Sequence, residues 1–140
     1  MVALHSQNVE YNVLVSGANW AWPVAVRELF KPREVNLMVA EKANDFVEVI
    51  KKRRIHTAIV DMDSMAVALA TVKIIRIDFP LVPCILLAGE AGENLLSKAL
   101  HLDVFSVIEK PVDMELLREQ LNRLFLKRYN SNIFQRIEQH

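Results

Sequence analysis

The sequence predicts one doubly wound α/β domain, and three observations lead there. Short apolar runs alternate with stretches whose apolar residues recur at helical spacing, the pattern of parallel strands joined by crossover helices. The runs are nearly continuous rather than alternating, as expected of strands covered on both faces. At 140 residues and 52% apolar content, the chain is long and apolar enough to bury a single core.

The elements follow in order. Strands are predicted over 11–16, 35–40, 57–61, 84–88 and 104–109. The first helix carries Trp22, Val26 and Phe30 on one face, and the second carries Ala43, Phe46, Val47 and Ile50. Met65, Leu69, Val72 and Ile75 mark the third helix, and Leu95, Leu96, Ala99 and Leu100 the fourth. In the fifth, Asp113 caps the start and Leu117, Leu121 and Leu124 recur on one buried face. Pro32, Pro80 and Pro83 fall between elements, where a missing amide hydrogen costs nothing. No repeat, low-complexity segment or internal linker interrupts the pattern. After Lys127 the periodicity loosens, and Ile133, Phe134 and Ile137 either prolong the last helix or dock as a tail.

Composition excludes several function classes. With 17 basic and 17 acidic residues the net charge is zero, so no global field favours nucleic acid or a membrane surface, and neither is expected as a partner. Lys51, Lys52, Arg53 and Arg54 are read as complementing the C-terminal dipole of the second helix. The lone Cys84 lies in an apolar run and has no disulfide partner, which fits a buried thiol in a reducing compartment. No stretch approaches a spanning helix and the first ten residues lack the layout of a signal peptide, so a soluble, cytoplasmic protein is expected. His5, His56, His101 and His140 show no metal-ligand spacing with Cys84 and are read as surface or loop residues.

Asp61 closes the third predicted strand and Lys110, followed by Pro111, closes the fifth. In a parallel sheet both emerge at the carboxyl edge, where open α/β folds place their sites. A carboxylate that attacks a phosphoryl group must overcome repulsion between anions, so cations must stand beside it. Lys110 supplies one, and Pro111, a candidate for the cis isomer, holds the turn that aims it. The plainer alternative is a structural ion pair between two strand ends.

On these residues the chain resembles the receiver domain of bacterial two-component response regulators, over about residues 9–127, with 128–140 left as a C-terminal tail or helix extension. The resemblance implies a flavodoxin-like, five-stranded parallel sheet in the order 2-1-3-4-5 with helices on both faces. It makes Asp61, in IVDMD, the candidate phosphoacceptor. It makes Lys110, in VIEKPVD, the phosphate-pairing lysine before the cis-proline position, Pro111. The run 83–88 resembles the fourth strand, leading into Glu90 and Ala91.

Departures from the family are equally specific. Ser16, Gly17 and Ala18 stand where receivers carry two adjacent acids, leaving Asp61 and Asp63 as weak candidate ligands and Mg2+ affinity expected to be poor. Ala88 and Gly89 occupy the place of the switch serine or threonine. Val107 occupies that of the switch aromatic, with Phe105 placed two residues earlier on the same face. Met65 replaces a loop proline, and Asp103 a glycine after the fourth helix. Trp20 and Trp22 flank the first helix, where an exposed ring would replace the acidic mouth by an aromatic rim.

The expected function is an atypical response-regulator receiver module in phosphorelay signal transduction that acts through protein contacts and is not an enzyme. The alternative is a conventional receiver phosphorylated on Asp61 with weakened Mg2+ binding. A small-molecule or nucleotide-binding α/β enzyme is disfavoured, because Gly17 stands alone and no glycine-rich phosphate loop occurs. Expected partners are a histidine kinase or phosphotransfer protein and a downstream protein target. A homodimer through residues 91–126 is a further expectation, since Glu93, Lys98, Glu115, Arg118 and Glu119 give that surface mixed charge.

Overall fold

The computed structural model describes residues 10–16, 23–40, 42–61, 64–89 and 93–137. Five strands, β1 (Asn12–Ser16), β2 (Asn36–Ala40), β3 (Thr57–Val60), β4 (Cys84–Ala88) and β5 (Ser106–Glu109), form one sheet in the order β2-β1-β3-β4-β5. All neighbouring pairs are parallel. The helices are α1 (Pro23–Phe30), α2 (Ala43–Lys52), α3 (Met65–Asp78), α4 (Glu93–His101) and α5 (Met114–Tyr129). This is the flavodoxin-like architecture expected from the sequence.

Strand alternation divides the core in two. Val13 and Val15 of β1, Ile59, Ile85, Leu87 and Ile108 pack with Leu29 and Phe30 of α1 and with Leu117, Leu121, Leu124 and Phe125 of α5. Leu14, Ala58, Val60, Cys84 and Leu86 face the other way, onto Phe46 and Ile50 of α2, Val72 and Ile75 of α3 and Ala99 of α4. Burial pushes the Cys84 thiol up to about 12, which leaves it protonated and inert.

Three expectations are corrected. The edge strand β2 is not covered on both faces: it pairs only with β1, and Val39 is exposed. In α4 only Ala99 of the predicted stripe is buried, while Leu96 and Leu100 are exposed. β5 starts at Ser106, because the Val104 amide bonds back to Ala99 and closes the α4 turn instead of extending the strand. Asp103 takes the left-handed conformation in that turn (φ 59°) and its carboxylate meets Arg76 at 3.3 Å. Of the first predicted stripe, Phe30 is buried, and Trp22 lies outside the described residues, as does Trp20.

Helix starts follow ordinary capping chemistry. Ser64 accepts the Val67 amide at the start of α3, and Asp113 accepts the Glu115 and Leu116 amides at the start of α5. α5 continues to Tyr129 and ends at Asn130 in the left-handed region (φ 51°), after which the chain turns back. Phe134 then inserts fully buried against Phe30 and Phe125, with ring centroids 5.6 and 4.8 Å apart, so this stretch docks rather than prolonging the helix. Among the described residues no helix is long and apolar enough to cross a membrane.

Candidate functional site

Parallel pairing brings the ends of β1, β3, β4 and β5 to one edge. Asp61 follows β3 immediately, and its side chain is only 6% exposed. Lys110 follows β5, and its ammonium, on a side chain 33% exposed, forms an ion pair with Asp61 Oδ1. The Lys110 backbone amide donates to the Ala88 carbonyl at 2.8 Å, extending the β4–β5 ladder by one rung and fixing the backbone from which the side chain reaches Asp61. The Lys110–Pro111 peptide bond is cis. The structure therefore joins two candidate residues that the sequence places on separate strands.

Ser16, the last residue of β1, also belongs to this edge. Its buried hydroxyl accepts the Asp61 amide at 2.7 Å and donates to the Asp61 carbonyl at 3.2 Å. A side chain at the end of the central strand thus clasps the backbone of the residue whose carboxylate Lys110 holds. The sequence offers one signal for it: Ser16 closes the apolar run of β1 at the edge where Asp61 follows β3. Nothing in a lone serine shows that it will bridge to a residue 45 positions on.

The other predicted positions fall as follows. Ala88 is fully buried and adds no polar atom to the edge. A Cβ built on Gly89 would meet nothing within 4 Å, so the strand end opens into space there. Val107 packs with the α2–α4 core, whereas Phe105 packs with the α1–α5 core, so the two do not share a face. Phe105 lies just before β5, with its amide donating to the Cys84 carbonyl at 2.7 Å. Asp63 lies outside the described residues.

No group of three or more His, Cys, Asp or Glu side chains among the described residues is placed to hold a metal ion. Magnesium takes one or two carboxylates in an octahedral oxygen shell. The described edge offers the Asp61 carboxylate, already engaged by an ammonium, and the Ser16 hydroxyl, already turned to the Asp61 backbone. Among the described residues that set supplies one carboxylate, the low end of what a magnesium ion takes from a protein.

Of the four histidines read as surface or loop residues, His56 lies in the loop before β3 at the opposite, amino edge but is buried, 2% exposed, with its Nδ1 accepting the Asn12 amide at 3.0 Å. His101 is exposed on α4, and His5 and His140 lie outside the described residues.

No protein-family profile matches the sequence, and no curated protein does. Solved structures match it closely in shape. A response regulator receiver domain protein (CheY-like) from Methanospirillum hungatei superposes with a TM-score of 0.78 at 15% identity, covering 87% of this chain and 98% of that one. The signal receiver domain of an HD domain-containing protein from Pseudomonas fluorescens gives 0.77 at 18% identity, over 88% and 100%. A response regulator receiver protein from Pseudomonas putida gives 0.73 at 24% identity, over 82% and 98%. The chain has the fold of response-regulator receiver domains.

Proposed function

We propose that this chain is an atypical receiver module of two-component signalling, a protein-contact device rather than a classical enzyme, in which Asp61 is the candidate phosphoacceptor but ordinary metal-dependent phosphorylation is not the switch. One observation carries the reading. The Asp61 carboxylate is nearly buried and held by Lys110, while the neighbouring strand ends offer Ser16 and Ala88 in place of metal-binding acid and switch hydroxyl. With Lys110 as the cation that the described residues place on Asp61, an incoming phosphoryl group meets the repulsion of the carboxylate with one positive charge to offset it. The module comprises residues 9–127, with 128–140 as a C-terminal tail, and works in the cytoplasm. Its partners are a histidine kinase or phosphotransfer protein and a downstream protein target.

Intact-protein mass spectrometry after incubation with a small phosphodonor and Mg2+, beside Asp61→Asn and a Mg2+-free control, tests this. The expected result is folded protein without an adduct. A single phosphoryl adduct that requires Asp61 overturns it in favour of the conventional receiver. In that case a carboxylate oxygen of Asp61 forms a new P–O bond as the donor's bond to phosphorus breaks and the donor leaves with the electron pair. A Mg2+ dependence of the adduct would then bring Asp63 forward as a ligand.

Self-association through 91–126 has less charge to draw on than the sequence suggests. Glu115 is bonded by Arg118 at 2.6 Å and by Arg136 at 3.2 Å, which holds its carboxyl below the usual range. Arg118 also donates to the Phe134 carbonyl at 2.8 Å. Glu93, Lys98 and Glu119 remain as exposed charges for a dimer contact. Light scattering that finds only monomer at high concentration would remove this part of the proposal.

A further inference from the structure

Arg53, Arg54 and Arg128 are exposed at the amino end of the sheet, and none forms an ion pair among the described residues. The dipole of α2 accounts for Lys51 and Lys52 in its last turn, but Arg53 is already extended beyond the helix and Arg54 follows it. Arg128 comes from the last turn of α5, where it also complements that helix's C-terminal dipole. Together the three line a groove of about 610 Å³, opposite Phe79 and Leu81 from the turn between α3 and β4. Asp78 is the one acid on its wall. Leu81 is 84% exposed, and Ile50, Ile55 and Val82 make the rest of the lining apolar.

The groove is held open by fixed backbone. The Asn12 side chain donates to the Arg54 carbonyl at 2.8 Å, and the Tyr129 hydroxyl donates to the His56 carbonyl at 2.5 Å. Both Arg54 and Arg128 lie close enough to act on that hydroxyl electrostatically. Three cations lining one groove favour the entry of an anion. Since the whole chain has zero net charge, the attraction is local to this end.

We propose that this groove docks an acidic peptide segment of another protein bearing one large apolar side chain, with its carboxylates on Arg53, Arg54 and Arg128 and the apolar group against Phe79 and Leu81. A nucleic-acid backbone would use the arginines and leave the apolar wall unmatched. A bilayer surface could take Leu81 but could not enter a concave site. The inference is independent of the chemistry at Asp61, which lies at the other end of the strands.

Fluorescence anisotropy on the full chain tests it. The probes are a labelled peptide of glutamates around a single leucine, the same peptide without the leucine, a labelled DNA duplex, and phosphatidylserine vesicles. The leucine-containing peptide is expected to bind best and to weaken as salt rises. The double variant Arg54→Glu, Arg128→Glu should weaken it about tenfold, the scale of two or three exposed ion pairs. Leu81→Ser should also weaken it, while Lys42→Glu, an exposed reversal at the opposite end, should leave it unchanged. Equal binding of the leucine-free peptide, equal loss in Lys42→Glu, tighter binding of duplex or vesicles, or no peptide binding would each overturn the proposal. Circular dichroism on each variant confirms that loss of binding is not loss of fold.

Discussion

At the carboxyl end of the sheet, Asp61 and Lys110 stand one residue beyond β3 and β5 and hold each other, with Ser16 clasping the Asp61 backbone. At the amino end, Tyr11, His56, Phe125 and Tyr129 close the same sheet with rings packed mostly edge to face at 4.9 to 6.0 Å. One end relies on a few polar contacts, each worth little net free energy because the same groups bond well to water. The other buries large apolar area and adds favourable ring geometry. Residues at the carboxyl end are therefore free to vary without loss of fold, because the fold is secured elsewhere. The same contrast locates where the chain resists change.

The strongest test of that contrast is Phe134→Ala. Phe134 is fully buried between Phe30 and Phe125, and its carbonyl accepts from Arg118, so truncation should cost about 3–5 kcal/mol in denaturant unfolding. A loss below about 1 kcal/mol would break the comparison, since the docked segment would then be ornamental to stability. Next in size is Lys110→Met, which strands a nearly buried carboxylate. Because the lysine is one-third exposed, the full cost of breaking a buried pair should be discounted to about 2–3 kcal/mol. Asp61→Asn should cost less, since the ammonium it frees can turn to water. The reverse order would mean that Lys110, not Asp61, is the group most dependent on the pair. Ser16→Ala removes a hydroxyl that both accepts and donates, leaving the Asp61 amide unsatisfied, for an expected loss of about 1–2 kcal/mol.

How far the sequence carries is seen element by element. β4 is read to the residue because every position from Cys84 to Ala88 is buried and paired, so hydrophobic pattern and backbone pattern coincide. They part company at β5, where Val104 is buried by turn closure rather than by the ladder. They part again at β2, since residue type does not distinguish an edge strand from a central one. Asp61 and Lys110 are legible as a pair because strand ends in a parallel sheet share an edge. The Ser16 clasp and the aromatic nest are not, because they depend on cross-strand register and on helix length. Tyr11, His56 and Tyr129 span more than a hundred residues, and only α5 running to Tyr129 brings the last ring back to the first two.

That nest also yields the smallest effect, one that vanishes at neutral pH. The His56 ring takes the Asn12 amide on Nδ1, a bond that only the unprotonated nitrogen accepts, and Tyr11 and Tyr129 pack edge-on at 4.9 and 5.0 Å. Burial, and then the nearby Arg54 charge, hold the imidazole below the usual histidine range. The unfolded chain therefore takes up a proton near pH 6.5, on the order of the free value, that the folded chain refuses. Stability from this group is complete above that range and falls as pH drops through it toward the lower folded value. Urea midpoints measured at about pH 7.5 and about pH 5.5 should drop more for the native chain than for His56→Gln, which cannot titrate. An equal drop in both would assign the acid sensitivity to carboxylates. A larger drop in the native chain, with faster exchange of the Asn12 amide, would show that the amino end, for all its packing, contains a polar contact through which mild acid loosens it.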